Sequence, residues 1–129
     1  MKKVLVSGKV SGSVLKSNKP INFLGTVDKK SGIVSDKNHD LFGKSIKDNI
    51  LMFPYGVGSS VGAYTIYSIK SNDSAPLAMI CQKADLTVAT GCALANIPLI
   101  TVNEEEFSQL ENGMEILLDT DSPSLIHPQ

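Results

Sequence analysis

A glycine- and serine-rich turn, Gly56-Val57-Gly58-Ser59-Ser60-Val61-Gly62, holds the residues of this sequence best suited to chemistry. The apolar run Ile50-Leu51-Met52-Phe53-Pro54 ends just before it. Val61, Ala63, Tyr64, Ile66, Tyr67 and Ile69 then carry an apolar pattern of helical type beyond it. Gly56 and Gly58 lack the Cβ that forbids sharp turns and close approach to a ligand. Ser59 or Ser60 then falls in the first turn of a helix, where amide groups have no intrahelical acceptor and the dipole favours negative charge. That setting suits an anionic ligand, or a serine asked to act as its alkoxide. A plain serine N-cap after a tight turn would use the same residues.

Three familiar patterns nearly fit the same turn. Gly58-Ser59-Ser60-Val61-Gly62 satisfies Gly-x-Ser-x-Gly, and Asp119 and His127 follow in hydrolase order. In a nucleophile elbow, however, the serine ends its strand, and here Pro54 to Gly58 intervene. A phosphate loop needs a lysine after its last glycine, where this chain has Ala63. The glycine spacing is also wrong for a dinucleotide fingerprint. Cys81 and Cys92 stand eleven apart with no neighbouring histidine, too few for zinc or an iron–sulfur cluster, and read as buried thiols. Glu104-Glu105-Glu106 reads as an acidic first helical turn.

The 129 residues suffice for one domain, residues 1–129, with a core that needs no staples. A 42% hydrophobic and 19% charged composition excludes a disordered chain. Twelve basic residues face 13 acidic ones, and a net charge of −1 without a basic block argues against nucleic acid as a partner. All twelve are lysines, so a bidentate guanidinium for a carboxylate or phosphate would have to come from another chain. The apolar stretches fall short of the ~18–20 residues that span a bilayer, and Lys9 interrupts the N-terminal run before an export signal could form. A cytoplasmic protein without membrane association is expected.

Around the turn, alternation and punctuation predict short strands at 3–7, 12–15 and 21–26, with a turn between Asp28 and Gly32. The polar segment 35–48 is a long loop containing His39, either solvated, bonded to backbone, or placed there for a chemical role. A helix is predicted over about 59–70, a strand buried on both faces at 77–81, a helix at 84–95 and a second buried strand at 98–102. A short helix from Glu104, a strand over 114–119 and a possible edge at 124–127 complete the chain. The order gives an α+β domain, β-rich in its first half and β-α-β-α-β in its middle.

Several segments together resemble a known family. They are Asn22-Phe23-Leu24-Gly25-Thr26-Val27-Asp28, the Gly32 turn, His39-Asp40-Leu41-Phe42-Gly43-Lys44-Ser45-Ile46, Gly58-Ser59-Ser60-Val61-Gly62-Ala63-Tyr64, and Ala89-Thr90-Gly91 before Ile97-Pro98. Over nearly its whole length the chain is similar to small subunits of the aconitase X group, most closely those of archaeal-type phosphomevalonate dehydratases. The resemblance implies a swivelling β/β/α domain like the mobile domain of aconitases. It also implies a large-subunit partner that carries an iron–sulfur cluster and most substrate ligands, with no cofactor bound by this chain. Together the two would remove water from 5-phosphomevalonate, giving an anhydromevalonate phosphate. Ser59 matches the family's catalytic base, and Gly58, Ser60 and His39 are expected to bind substrate. Val61 stands where aconitases proper carry an arginine, and the sibling hydroxyproline dehydratases carry a Gly-Ser-Cys-Ser type run instead. A sibling dehydratase subunit, or an anion-binding module without chemistry, are the alternatives. Dehydration of a β-hydroxy acid needs a base near the carbon α to the carboxylate and a Lewis acid on the departing hydroxyl. A serine serves as that base only if amide groups hold its alkoxide. The sequence offers no metal-binding set for the Lewis acid and no arginine, so both are expected from a partner and the chain is expected to act only as part of a heteromer.

Overall fold

The computed structural model describes residues 2–129. Its elements are β1 (Lys3–Val6), β2 (Lys9–Lys16), α1 (Phe23–Thr26), β3 (Ile50–Tyr55), α2 (Val61–Ser71), β4 (Ala78–Lys83), α3 (Leu86–Ala95), β5 (Leu99–Thr101), α4 (Glu104–Gln109), β6 (Glu115–Asp119) and β7 (Ile126–Pro128). The strands form one mixed sheet in the order β1-β5-β4-β3-β2-β6-β7. β2, β3, β4 and β5 run parallel, while β1 pairs antiparallel with β5, and β6 with both β2 and β7.

The unbroken apolar runs 50–53 of β3 and 78–81 of β4 follow from burial on both faces. Successive side chains alternate across the sheet. Leu51, Phe53, Met79, Cys81 and Leu99 therefore join Ile66 and Ile69 of α2 and Val88 and Cys92 of α3 in one core. Ile50, Met52, Ala78, Ile80 and Ile100 face the other way, onto Phe107 of α4 and Ile116 and Leu118 of β6. The two crossover helices β3-α2-β4 and β4-α3-β5 lie against each other on the first face, in contact where Gly91 meets Ile66 and Ala63. Both cysteines are buried free thiols. No helix among the described residues is long and apolar enough to cross a membrane.

Two features differ from the sequence reading. The strand expected at 21–26 is instead a single bridge at Ile21, paired in parallel with Gly56, followed by the short helix α1. Asn22 causes the switch: its side chain accepts from the Leu24 amide 3.2 Å away and starts a helical turn. The stretch from Ser17 to Asn49 is also not β-rich. It is mostly irregular, tied by the bridges Val27↔Val34 and Ile33↔Ser45 and anchored by the buried side chains of Ile21, Phe23, Val27, Val34, Leu41 and Ile46. A loop that places six apolar side chains in the core is fixed by packing, which propensity does not report.

Phe53, fully buried, packs edge-on against Phe23 with ring centroids 5.7 Å apart and so joins the central strand to this loop. Phe53→Ala should cost about 3–5 kcal/mol of stability, read as a lowered urea midpoint with an unchanged slope. A loss below about 1 kcal/mol would mean that the site relaxes around the cavity.

Candidate functional site

The parallel strands β2, β3 and β4 present their C-terminal ends on one edge, where ligands commonly bind in open sheets with helical crossovers. Here the chain leaves β3 at Tyr55 and turns into α2. Gly58 adopts φ +106, a conformation open in practice to glycine alone. Gly56 lies so close to α3 that an added Cβ would sit 2.6 Å from Val88 Cγ2 and 2.8 Å from Asp85 Oδ1. Glycine is therefore required at 58 by backbone conformation and at 56 by close packing.

Ser59 follows directly. It is exposed, and its side chain has no hydrogen-bond partner among the described residues, whereas its carbonyl accepts from the Gly62 amide at 3.0 Å. Ser60 already has helical angles, φ −60 and ψ −17, and its side chain caps nothing. With no acidic side chain in the first turn of α2, the amides of Ser59, Ser60 and Val61 lack acceptors among the described residues. An open cleft of about 270 Å³ continues from Ser60 between α2 and α3, lined by Ala63, Tyr64, Leu86, Thr87 and Thr90. A larger cavity of about 490 Å³ lies between α4 and the β6–β7 hairpin and contains none of these residues.

Gly58, Ser59 and Ser60 thus share one exposed turn, while His39, which the sequence grouped with them, does not offer itself to a ligand. It is buried. Its Nδ1 accepts from the Leu41 amide at 3.1 Å, and its Nε2 lies 3.2 Å from the Pro20 carbonyl. A backbone N–H can only donate, so Nδ1 carries the lone pair and Nε2–H donates to Pro20. Asp40 Oδ1 also lies 3.2 Å from Nδ1. Both nitrogens are occupied within the chain. His39 serves the loop as a structural residue, the backbone-bonded option of the sequence reading.

Asp40 accepts from the Ser17 hydroxyl at 2.6 Å and from the Asn18 amide at 2.9 Å. Partial burial works against its charge, yet these two hydrogen bonds hold its carboxyl below the ordinary 3.8. This carboxylate was not singled out in the sequence. Its position directly after His39, in a loop that must be tied down, was the available signal. Burial pushes both thiols up, Cys92 to about 12 and Cys81 well above its ordinary value. Neither is a nucleophile. No three His, Cys, Asp or Glu side chains come together as a metal site among the described residues. The hydrolase pattern also comes apart, since His127 lies on the far edge strand β7 with Nε2 2.8 Å from Ser122 Oγ.

The aconitase X swivel domain model matches residues 1–126. The phosphomevalonate dehydratase small subunit of Thermococcus kodakarensis is 46% identical over 92% of this chain and 87% of its own length. That of Methanothermobacter thermautotrophicus is 42% identical over 92% of both chains. Among solved structures, the holo-form crystal structure of Thermococcus kodakaraensis aconitase X superposes with a TM-score of 0.89 at 43% identity, covering 95% of this chain and 94% of that one.

The Asp40 carboxyl has its lower pKa in the folded state, so its bonds stabilise the fold above the unfolded value of about 3.9 and are lost as pH falls through the folded value. Acid titration followed by circular dichroism should show the wild type losing more stability below about pH 4 than Asp40→Asn does. Parallel acid limbs for the two proteins would contradict the assignment.

Proposed function

Because this chain belongs to the aconitase X swivel-domain family, we propose that it is the small subunit of a two-chain phosphomevalonate dehydratase, in which Ser59 is the catalytic base. Curated relatives that carry the phosphomevalonate dehydratase small-subunit name align over about nine-tenths of the chain. The observation that carries the residue assignment is the turn itself. Ser59 is an exposed hydroxyl with no hydrogen-bond partner among the described residues, beside three amides that those residues also leave open, at the start of an eleven-residue helix.

A serine hydroxyl is far too weak an acid to be an alkoxide unaided. Open amides and the positive end of a helix favour the charged form. In the proposed reaction the Ser59 alkoxide takes the proton from the carbon α to the substrate carboxylate and becomes a hydroxyl. The C–H electron pair forms the double bond, and the hydroxyl on the neighbouring carbon leaves with its bonding pair, taking a second proton from an acid on the large subunit to become water. Gly58 brings the backbone close to substrate, and Ser60 lines the adjoining cleft. The residues of this chain do not fit an iron–sulfur cluster: both cysteines are sealed in the core, and the Cys92 thiol contacts Met79 Sδ at 3.5 Å. We place that cluster, and the cationic groups that would hold the carboxylate and phosphate, on the large subunit. The chain alone is then inactive.

In the reconstituted complex, Ser59→Ala should lower kcat by about 10²–10⁴-fold, the usual contribution of a general base, while assembly persists on size exclusion. Ser60→Ala should cost less than about tenfold. A Ser59→Ala complex with near wild-type kcat would end the assignment. The reverse ranking of the two serines would move the base assignment from Ser59 to Ser60.

A further inference from the structure

Among the described residues the Ser59 hydroxyl makes no hydrogen bond that fixes where it points, so its direction depends on what holds the turn from behind. The Asn22 carboxamide lies against Gly58, where a Cβ would come 2.6 Å from Oδ1 and 3.2 Å from Nδ2. The same Oδ1 accepts from the Leu24 amide, which sets the orientation of the group. One residue earlier, Ile21 donates to the Tyr55 carbonyl at 3.2 Å and accepts from the Val57 amide at 3.0 Å. Consecutive residues 21 and 22 therefore grip consecutive parts of the segment that delivers Ser59.

That grip is itself anchored upstream. Asp40 uses one oxygen for the Ser17 hydroxyl and the other for the Asn18 amide. His39 bonds the Pro20 carbonyl, and Lys19 Nζ donates to the Asn38 carbonyl at 2.9 Å. Each residue from Ser17 to Pro20 is thus tied to the loop 38–40. We propose that Ser17–Asn22 is a positioning strap for Ser59, with Asn22 as the residue that holds the Gly58 turn and Asp40 with His39 as its buckle. A glycine at φ +106 has no side chain of its own to resist relaxation, and such backbone persists where surroundings over-determine it. Removing the carboxamide opens space directly behind Gly58 and lets the turn, and Ser59 with it, move. None of these residues touches substrate in this account. They act through Ser59, so the kinetic part of the proposal rests on the dehydratase reading above.

The test uses the complex with its large subunit and compares wild type, Asn22→Ala and Asn22→Asp. Hydrogen exchange by mass spectrometry is read on peptides covering 56–62 and, as a control, 86–95. Kinetics with 5-phosphomevalonate are read in parallel. Asn22→Ala should exchange about tenfold faster over 56–62 and not over 86–95. Its kcat should fall about 10–100-fold with KM changed far less, because misplacing a catalytic group costs turnover more than binding. Asn22→Asp keeps the volume and the capping oxygen and should retain wild-type protection over 56–62. Unchanged exchange over 56–62 in Asn22→Ala, or a rise spread evenly over both peptides, would overturn the strap. If the wild-type complex does not turn over 5-phosphomevalonate, the dehydratase reading fails, while the exchange comparison still decides the strap.

Discussion

Between the end of β3 at Tyr55 and the start of α2 at Val61 the chain has five residues in which to reverse its direction. It passes so close to α3 at Gly56 and to Asn22 at Gly58 that neither position has room for a side chain. That confinement is the constraint on which the site depends. It holds Gly58 at φ +106, delivers Ser59 to the open edge of the sheet, and starts the helix with amide groups that no acceptor among the described residues covers. The rest of the fold can be read as support for this geometry. Parallel strands supply the edge, the two-faced core fixes β3, and the long loop 23–49 packs its own hydrophobic residues so that the strap before it stays in place.

The central turn was legible because its chemistry is local. Two glycines, two serines, an apolar run before and a helical pattern after are enough to place a strand, a tight turn and a helix start. The buried strands β4 and β5 were legible for a similar reason, since a short continuous apolar run bounded by turn residues leaves few alternatives. Segment 21–26 was misread as a strand because its composition suits one. The deciding interaction, Asn22 with the Leu24 amide, is a side-chain cap inside an apolar stretch that draws attention elsewhere. His39 looked like a candidate ligand because a histidine in a polar loop usually has a free nitrogen. Its burial and its bond to Pro20, nineteen residues away, follow only from tertiary packing. The role of Asp40 was hidden for the same reason, since both its partners lie across the fold and its place after His39 was the one signal.

The proposed division of labour between subunits rests on what this chain contains and how it is arranged. It has no arginine, its cysteines are spent in the core, and its one histidine near the loop is bonded on both sides. Among the described residues, an exposed hydroxyl and open amides remain at the turn. Those groups can hold and use a negative charge on oxygen, which is the part of a dehydration that a base must perform. Activation of the leaving hydroxyl and recognition of the substrate's anionic ends call for other groups, and the proposal assigns them to the partner subunit.

The central claim is that the Ser59 oxygen removes the proton from the carbon α to the carboxylate. The most direct measurement runs the reaction backwards in deuterium oxide with the assembled complex and looks for deuterium at that carbon. The wild-type complex should introduce deuterium at this one position, and the Ser59→Ala complex, equally assembled, should introduce none above the uncatalysed rate. Exchange at the wild-type rate in the Ser59→Ala complex would show that another group moves the proton.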